Sequence, residues 1–194
     1  PHFLYNTLDS IKWLGVTNGV PQVAAVASGL AVLLRAGISG DRLITLEREL
    51  ELLEKYLDIQ SLRFEDRFAW EIDVDERFQH CIVPKLILQP LVENSIIHGV
   101  ANMDDGYIKL SAREKSGTLI LSVQDNGVGI PACDLTRVWD RGFTGENGRR
   151  YARSTGIGLY LVHELCAKMG LGVACASELG AWTRVSVTFP DSAR

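Results

Sequence analysis

The hydrophobic pattern of this chain changes period once, between Phe64 and Phe68, and one kind of secondary structure cannot satisfy both halves. Ahead of the change the spacing is helical. Phe3, Leu4, Leu8, Ile11 and Leu14 recur at three- and four-residue steps and predict a helix over 3–16, broken by Gly15, Asn18-Gly19 and Pro21. Residues 22–37 resume as a helix that is apolar almost all round, through Val23, Val26, Leu30, Leu33 and Leu34. A helix without a polar face needs burial on several sides. Two short helices cannot enclose it, so pairing of two chains into a four-helix bundle is the natural solution. Beyond a break at Gly37-Ile38-Ser39-Gly40, Thr45 suits an N-cap, with Glu47 and Glu49 in the first turn where the helix dipole favours acids. Leu46, Leu50, Leu53, Leu57 and Phe64 then form the next stripe.

After the change, Phe68-Ala69-Trp70-Glu71-Ile72-Asp73-Val74 alternates with period two and reads as a strand. Pro84 suits the first turn of a helix running to His98, kinked at Pro90 and capped by Gly99. Residues 107–113 and 118–124 read as a hairpin turning near Ser116-Gly117. A Gly-rich polar stretch covers 127–155, and a segment that long without periodicity is usually functional. A helix over 156–169 and strands over 172–177 and 182–189 complete the pattern. Strands and helices in this order predict an α+β fold: a helical region over 1–66, then a sandwich over 67–194 with a mixed sheet and helices on one face.

At 194 residues, 46% apolar and 23% charged, the chain has the composition of an ordinary globular protein. A net charge of -4 leaves no basic footprint, so nucleic acid is not an expected partner. Cys81, Cys133, Cys166 and Cys175 are scattered without a Cys-x-x-Cys pair, which reads as small hydrophobes in a reducing compartment. The most apolar run, Val23 to Leu34, is interrupted by Ser28-Gly29 and stopped by Arg35, short of the roughly 20 residues a spanning helix needs. The chain begins without Met, directly on a motif. It is therefore expected to be the cytoplasmic fragment of a longer protein, with sensor and membrane parts upstream.

Four short motifs stand out. Pro1-His2-Phe3-Leu4-Tyr5-Asn6-Thr7 places His2 and Asn6 one helical turn apart; a lone histidine near a terminus is ordinarily a surface residue. Glu93-Asn94 lies four residues before His98, so Asn94 and His98 share a face. Asn94 offers a neutral amide oxygen, a suitable hard ligand for Mg²⁺, although in isolation a helix-surface asparagine is the simpler reading. Asp125-x-Gly127-x-Gly129 follows a strand. A buried carboxylate there needs a partner, yet Asp-Asn-Gly is equally good turn chemistry. Gly156-Ile157-Gly158-Leu159 opens a helix, where glycines expose N–H groups and positive dipole to an anion. The spacing is neither Gly-x-Gly-x-x-Gly nor a Walker loop.

In this order the motifs resemble the sensor histidine kinases of bacterial two-component systems, in the branch whose histidine sits in Pro-His-Phe-x-x-Asn, typified by LytS and YehU-like kinases. Tyr56-Leu57-Asp58-Ile59-Gln60-Ser61-Leu62-Arg63-Phe64 also resembles that branch. The resemblance implies a dimerisation and histidine hairpin joined to a Bergerat-type ATP-binding domain, as in gyrase. It implies His2 as phosphoacceptor, with Asn6 orienting the imidazole or a water and Glu93 polarising the attacking group. Asn94 would hold Mg²⁺ beside ATP, Asp125 would accept the adenine amine, and Gly127, Gly129, Gly156, Gly158 and Leu159 would shape the site with His98. Phe143 resembles the lid phenylalanine, and Arg141, Arg149, Arg150 and Arg153 are available for phosphates. A homodimer and a response-regulator partner follow from the same resemblance.

Three departures matter. Phe3 stands where many such kinases carry an acid. Ile97 replaces a phosphate-touching Lys, leaving that role to a lid Arg or to His98. Pro90 occupies the place of the water-activating Glu of gyrase-like ATPases, and proline cannot act as a base. Gly180 resembles the turn that closes these domains, with Ala181-Trp182-Thr183 as a further departure. The rivals are a stand-alone ATPase, which leaves His2 unexplained, and a nucleotide-binding scaffold without kinase activity.

Overall fold

The computed structural model describes residues 2–145 and 155–190. It opens with a helical hairpin, α1 (His2–Thr17) and α2 (Pro21–Ile38). Gly15 does not break α1: a Cβ there would sit 2.8 Å from the Ala24 backbone nitrogen, so the glycine marks where the two helices cross. The reversal comes later, at Gly19, whose φ is +67°. Of α2 only Ala27 and Gly29 are buried. Phe3, Trp13, Leu14, Val16, Val23 and Leu30 are exposed, which leaves on this hairpin the apolar surface that motivates a second copy. Among the described residues α2 is the one helix long and apolar enough to cross a membrane, by length and composition alone, with mean hydropathy 1.5.

Strand β1 (Leu43–Thr45) leads into α3 (Leu46–Arg63), where the Thr45 hydroxyl accepts from the Arg48 N–H at 3.3 Å as the expected N-cap. The predicted stripe Leu46, Leu50, Leu53 and Leu57 is buried, together with Leu52, Tyr56 and Glu49. These side chains are not confined to the hairpin. They share one core with β-sheet residues such as Leu110, Leu121 and Val187.

The sheet has the order β2 (Phe68–Asp73), β4 (Gly106–Lys115), β5 (Thr118–Asp125), β7 (Trp182–Phe189), β6 (Gly172–Glu178). The β2–β4 pair is parallel and the rest antiparallel, so the sheet is mixed. Alternation decides its faces. Ile108, Leu110, Ala112, Leu119, Leu121, Val123, Val185, Val187 and Phe189 point into the core. On the opposite face Lys109 pairs with Glu71 at 3.1 Å and Asp73 at 3.2 Å, and Arg113 with Asp73 at 2.7 Å. One face is packed and one is wet, as expected for a sheet with helices on one side.

The segment predicted as one kinked helix over 84–98 is built differently. Pro84 ends β3 (Ile82–Pro84), which pairs antiparallel with β1 in a two-stranded sheet that local pattern did not reveal. Leu86, at φ +61°, then turns the chain. Pro90 lies in the first turn of α4 (Gln89–Asn94), where a missing N–H costs nothing, so it starts the helix instead of kinking it. Past Asn94 the backbone widens into a π-helix (Ser95–Val100), closed by Ala101 N–H to Ile96 C=O at 2.9 Å. Gly99 lies inside it, and the cap is Ala101. Helix α5 (Gly158–Met169) begins two residues later than Gly156 and ends at Gly170, in the left-handed region.

Glu49 ties the two halves together. Its carboxylate, 1% exposed, accepts the N–H of Leu86 at 2.7 Å and of Leu88 at 3.0 Å. Burial raises its pKa and these backbone donors oppose the rise. Glu49 stands in the first turn of α3 as predicted, and it is also the brace that holds the turn leading into α4.

Candidate nucleotide site

A cleft of about 830 Å³ opens beside α4 and the π-helix, a size suited to a nucleotide. Glu93, Asn94 and His98 line it from one side, Gly156, Gly158 and Leu159 from the other, and Asp125, Gly129 and Phe143 complete it. Most residues singled out in sequence are therefore brought together.

Asp125 is the inner landmark, and strand register puts it there. It pairs with Thr183 across β5–β7 and follows Leu119, Leu121 and Val123 on the buried face, so a carboxylate occupies the next core-facing position. It is 2% exposed. Its Oδ1 accepts the Gly127 N–H at 3.0 Å, and the Ser95 hydroxyl and Thr183 N–H also donate to it. Burial outweighs these donors and pushes the Asp125 pKa up to about 6. Turn chemistry is present too, but it belongs to Asn126, whose Oδ1 accepts the Tyr107 N–H at 2.7 Å while Nδ2 donates to Asp105 C=O at 3.0 Å.

Glycines around the cleft are required by contact, among them Gly129, where a Cβ would lie 2.1 Å from the Glu178 carbonyl oxygen. A Cβ on Gly127 would lie 2.4 Å from the Gly99 Cα, so the turn after β5 and the π-helix touch through backbone around the carboxylate. Gly156, at φ +60°, has Phe143 O and Gly142 C both 2.5 Å from where its Cβ would be, and its carbonyl accepts the Gly142 N–H at 3.0 Å. This clamp fixes Phe143 against the start of α5. The Arg137 guanidinium stacks over the Phe143 ring at 4.6 Å. Arg149, Arg150 and Arg153 lie outside the described residues. Arg141 is exposed and is not among the cleft-lining residues.

His98 is half-buried, and desolvation lowers its pKa, so at pH 7 it is neutral. It can donate one hydrogen bond to a phosphate but brings no positive charge. Glu93 is exposed at the cleft with Asn94 beside it. His2 and Asn6 are elsewhere: both are exposed on α1 and neither lines the cleft. Sequence reasoning missed Ser95, Thr183 and Arg63. Thr183 carried a usable signal, since it is in phase with Val185, Val187 and Phe189. Ser95 and Arg63 carried none, because their neighbours come from distant segments.

Comparison with known proteins agrees with this geometry. The histidine kinase family model matches residues 1–68, and the model for histidine kinase-, DNA gyrase B- and HSP90-like ATPases matches 82–193. Sensor histidine kinase YesM of Bacillus subtilis is 32% identical over 92% of this chain and 32% of its own length. Sensor protein LytS of the same species is 30% identical over 98% of the chain and 32% of its own. The chain thus spans about a third of the length of the curated relatives it matches. Among solved structures, the catalytic domain of histidine kinase ThkA superposes with TM-score 0.61 at 17% identity, covering 77% of this chain and 94% of that one. Full-length ShkA, solved with AMPPNP, gives 0.60 at 19% identity over 91% of this chain and 38% of its own. On the two family matches, which follow each other along nearly the whole sequence, the chain belongs to the sensor histidine kinases of the LytS and YesM type.

Proposed function

We propose that this chain is the catalytic core of a two-component sensor kinase. It transfers the γ-phosphoryl group of Mg·ATP to His2 within a homodimer, and from there to an aspartate of a response-regulator protein. In this division of labour residues 1–66 carry the histidine and the dimer contacts, and residues 67–194 hold the nucleotide. The observation that carries the reading is Asp125, a buried, multiply hydrogen-bonded carboxylate at the inner end of a nucleotide-sized cleft. A carboxylate there accepts the exocyclic amine of adenine and leaves the phosphates to extend toward Glu93, Asn94 and the N-terminus of α5, whose dipole favours anions.

A nitrogen lone pair of the His2 imidazole attacks the γ-phosphorus. The bond to the β–γ bridging oxygen breaks, ADP leaves, and the imidazole N–H proton passes to Glu93. Asn6, one turn along α1, orients the ring. Asn94 offers a neutral amide oxygen that fits Mg²⁺, which takes few protein ligands and keeps its waters; bound there, the ion would neutralise phosphate charge. The chain otherwise contributes by positioning and by fixed dipoles, as phosphoryl transfer requires. Pro90 at the cleft edge offers no base for plain hydrolysis.

Incubation with γ-labelled ATP tests this. Wild type should acquire acid-labile, base-stable label and His2→Gln none. Equal label in the two would overturn the assignment.

A further inference from the structure

Ile97 lines the cleft at the position where the family's phosphate-touching Lys would stand, and His98 is neutral at pH 7. The cleft wall also carries three carboxylates, Glu93, Asp125 and Asp134. ATP brings about four negative charges to it. Among the described residues a single permanently charged cation lines that wall: Arg63, the last residue of α3.

The geometry points to Arg63 as a phosphate-binding residue, supplied to the nucleotide by the connecting helix and not by the ATP-binding unit itself. This rests on the cleft being an ATP site. Its position is built. Phe64 caps α3 with its N–H on Gln60 C=O at 2.9 Å, and Asp66 N–H returns to Ser61 C=O at the same distance. Glu65 and Asp66 both turn at positive φ. Phe64, also on the cleft wall, packs edge-on against Phe68 at 6.2 Å, and the Arg63 guanidinium lies 5.2 Å above the Phe64 ring. That contact holds the guanidinium without consuming its five donors. Among the described residues no carboxylate forms an ion pair with it. Arg63 and Glu93 also act with opposite sign on the buried Tyr56 phenol, which places both near it. Arg63 and Glu93 both line the cleft, and Glu93 marks the phosphate end in the proposed nucleotide orientation.

A guanidinium in this place binds two phosphate oxygens at once, and it makes phosphate affinity depend on where α3 sits.

The test compares ATP and adenosine binding by calorimetry in wild type, Arg63→Gln, Arg63→Lys and Arg67→Gln. Arg67 is exposed, beyond the turn and absent from the cleft wall. Arg63→Gln should lose ATP affinity by about tenfold or more and leave adenosine affinity within a factor of two; Arg63→Lys should recover part of the loss, and Arg67→Gln should match wild type. ATP affinity unchanged in Arg63→Gln would overturn the inference, as would an equal loss for ATP and adenosine, which marks a structural role. Wild type that binds neither ATP nor adenosine would overturn the ATP-site reading and this inference with it.

Discussion

Replacing Asp125 with Asn separates what the carboxylate costs the fold from what it gives the ligand. The side chain is 2% exposed, so solvent screening takes little away. Burial lifts its pKa from the ordinary 3.8 to about 6. At about 1.4 kcal/mol per factor of ten, that difference is worth roughly 3 kcal/mol in stability linked to pH. The folded-state value lies above the unfolded one. The contribution is therefore fully present below the unfolded pKa and is lost as pH rises through about 6. Asparagine does not titrate, so any fixed cost of its amide cancels when variant and wild type are compared across pH. Relative to wild type, Asp125→Asn should gain about 2–3 kcal/mol between roughly pH 4 and pH 8 in urea unfolding without nucleotide. At the upper pH it should also lose about 1–3 kcal/mol of ATP and adenosine affinity, because the amide turns donors toward the adenine amine. In wild type, adenosine affinity should fall as pH drops below 6, where the acceptor is protonated. A stability difference flat in pH would refute the buried-charge argument, and unchanged nucleotide affinity would remove Asp125 from the site.

Glu49→Ala orphans the N–H groups of Leu86 and Leu88, each worth about 1–3 kcal/mol, so chemical unfolding should show a loss of about 2–6 kcal/mol; a loss under 1 kcal/mol would mean the turn stands without its brace. Gly127→Ala drives a Cβ to 2.4 Å from the Gly99 Cα, and adenosine binding by titration should fall at least tenfold; normal binding would mean the backbone yields freely there. Light scattering should find the whole chain dimeric and residues 43–194 folded and monomeric. Residues 68–194 alone should expose the core face that α3 covers and bind hydrophobic dye; a compact, cooperatively unfolding 68–194 fragment would show that α3 is dispensable.

Local pattern made α1, α2, α3, α5, the β4–β5 hairpin and the last two strands readable, because each repeats its own period over seven or more residues. Asp125 was readable for a further reason: strand alternation predicts which face it takes, and an acid in a core-facing position demands a partner. Pro84 and Pro90 misled because proline's N1 preference is shared by two positions six residues apart, and only the pairing of β3 with β1 decides between them. That pairing spans about forty residues and leaves no periodic trace in three-residue strands. Glu49 reads in the sequence as a first-turn acid favoured by the helix dipole; its burial comes from a turn 37 residues downstream. Ser95 and Arg63 are ordinary helix residues until the fold sets one against Asp125 and the other against the cleft. What sequence withholds in this protein is mostly the second partner of each long-range contact.

The central claim is that the cleft around Asp125 feeds phosphate to His2, and mapping the phosphate tests it most directly. The chain has four histidines, and cleavage after Lys and Arg places His2, His80, His98 and His163 on four different peptides. After incubation with Mg·ATP and digestion at alkaline pH, mass spectrometry should find the phosphate on the peptide that ends at Lys12, in wild type and not in Asp125→Asn at limiting ATP. Phosphate on the His98 or His163 peptide, or equal labelling of the His2 peptide in the Asp125 variant, would contradict the account.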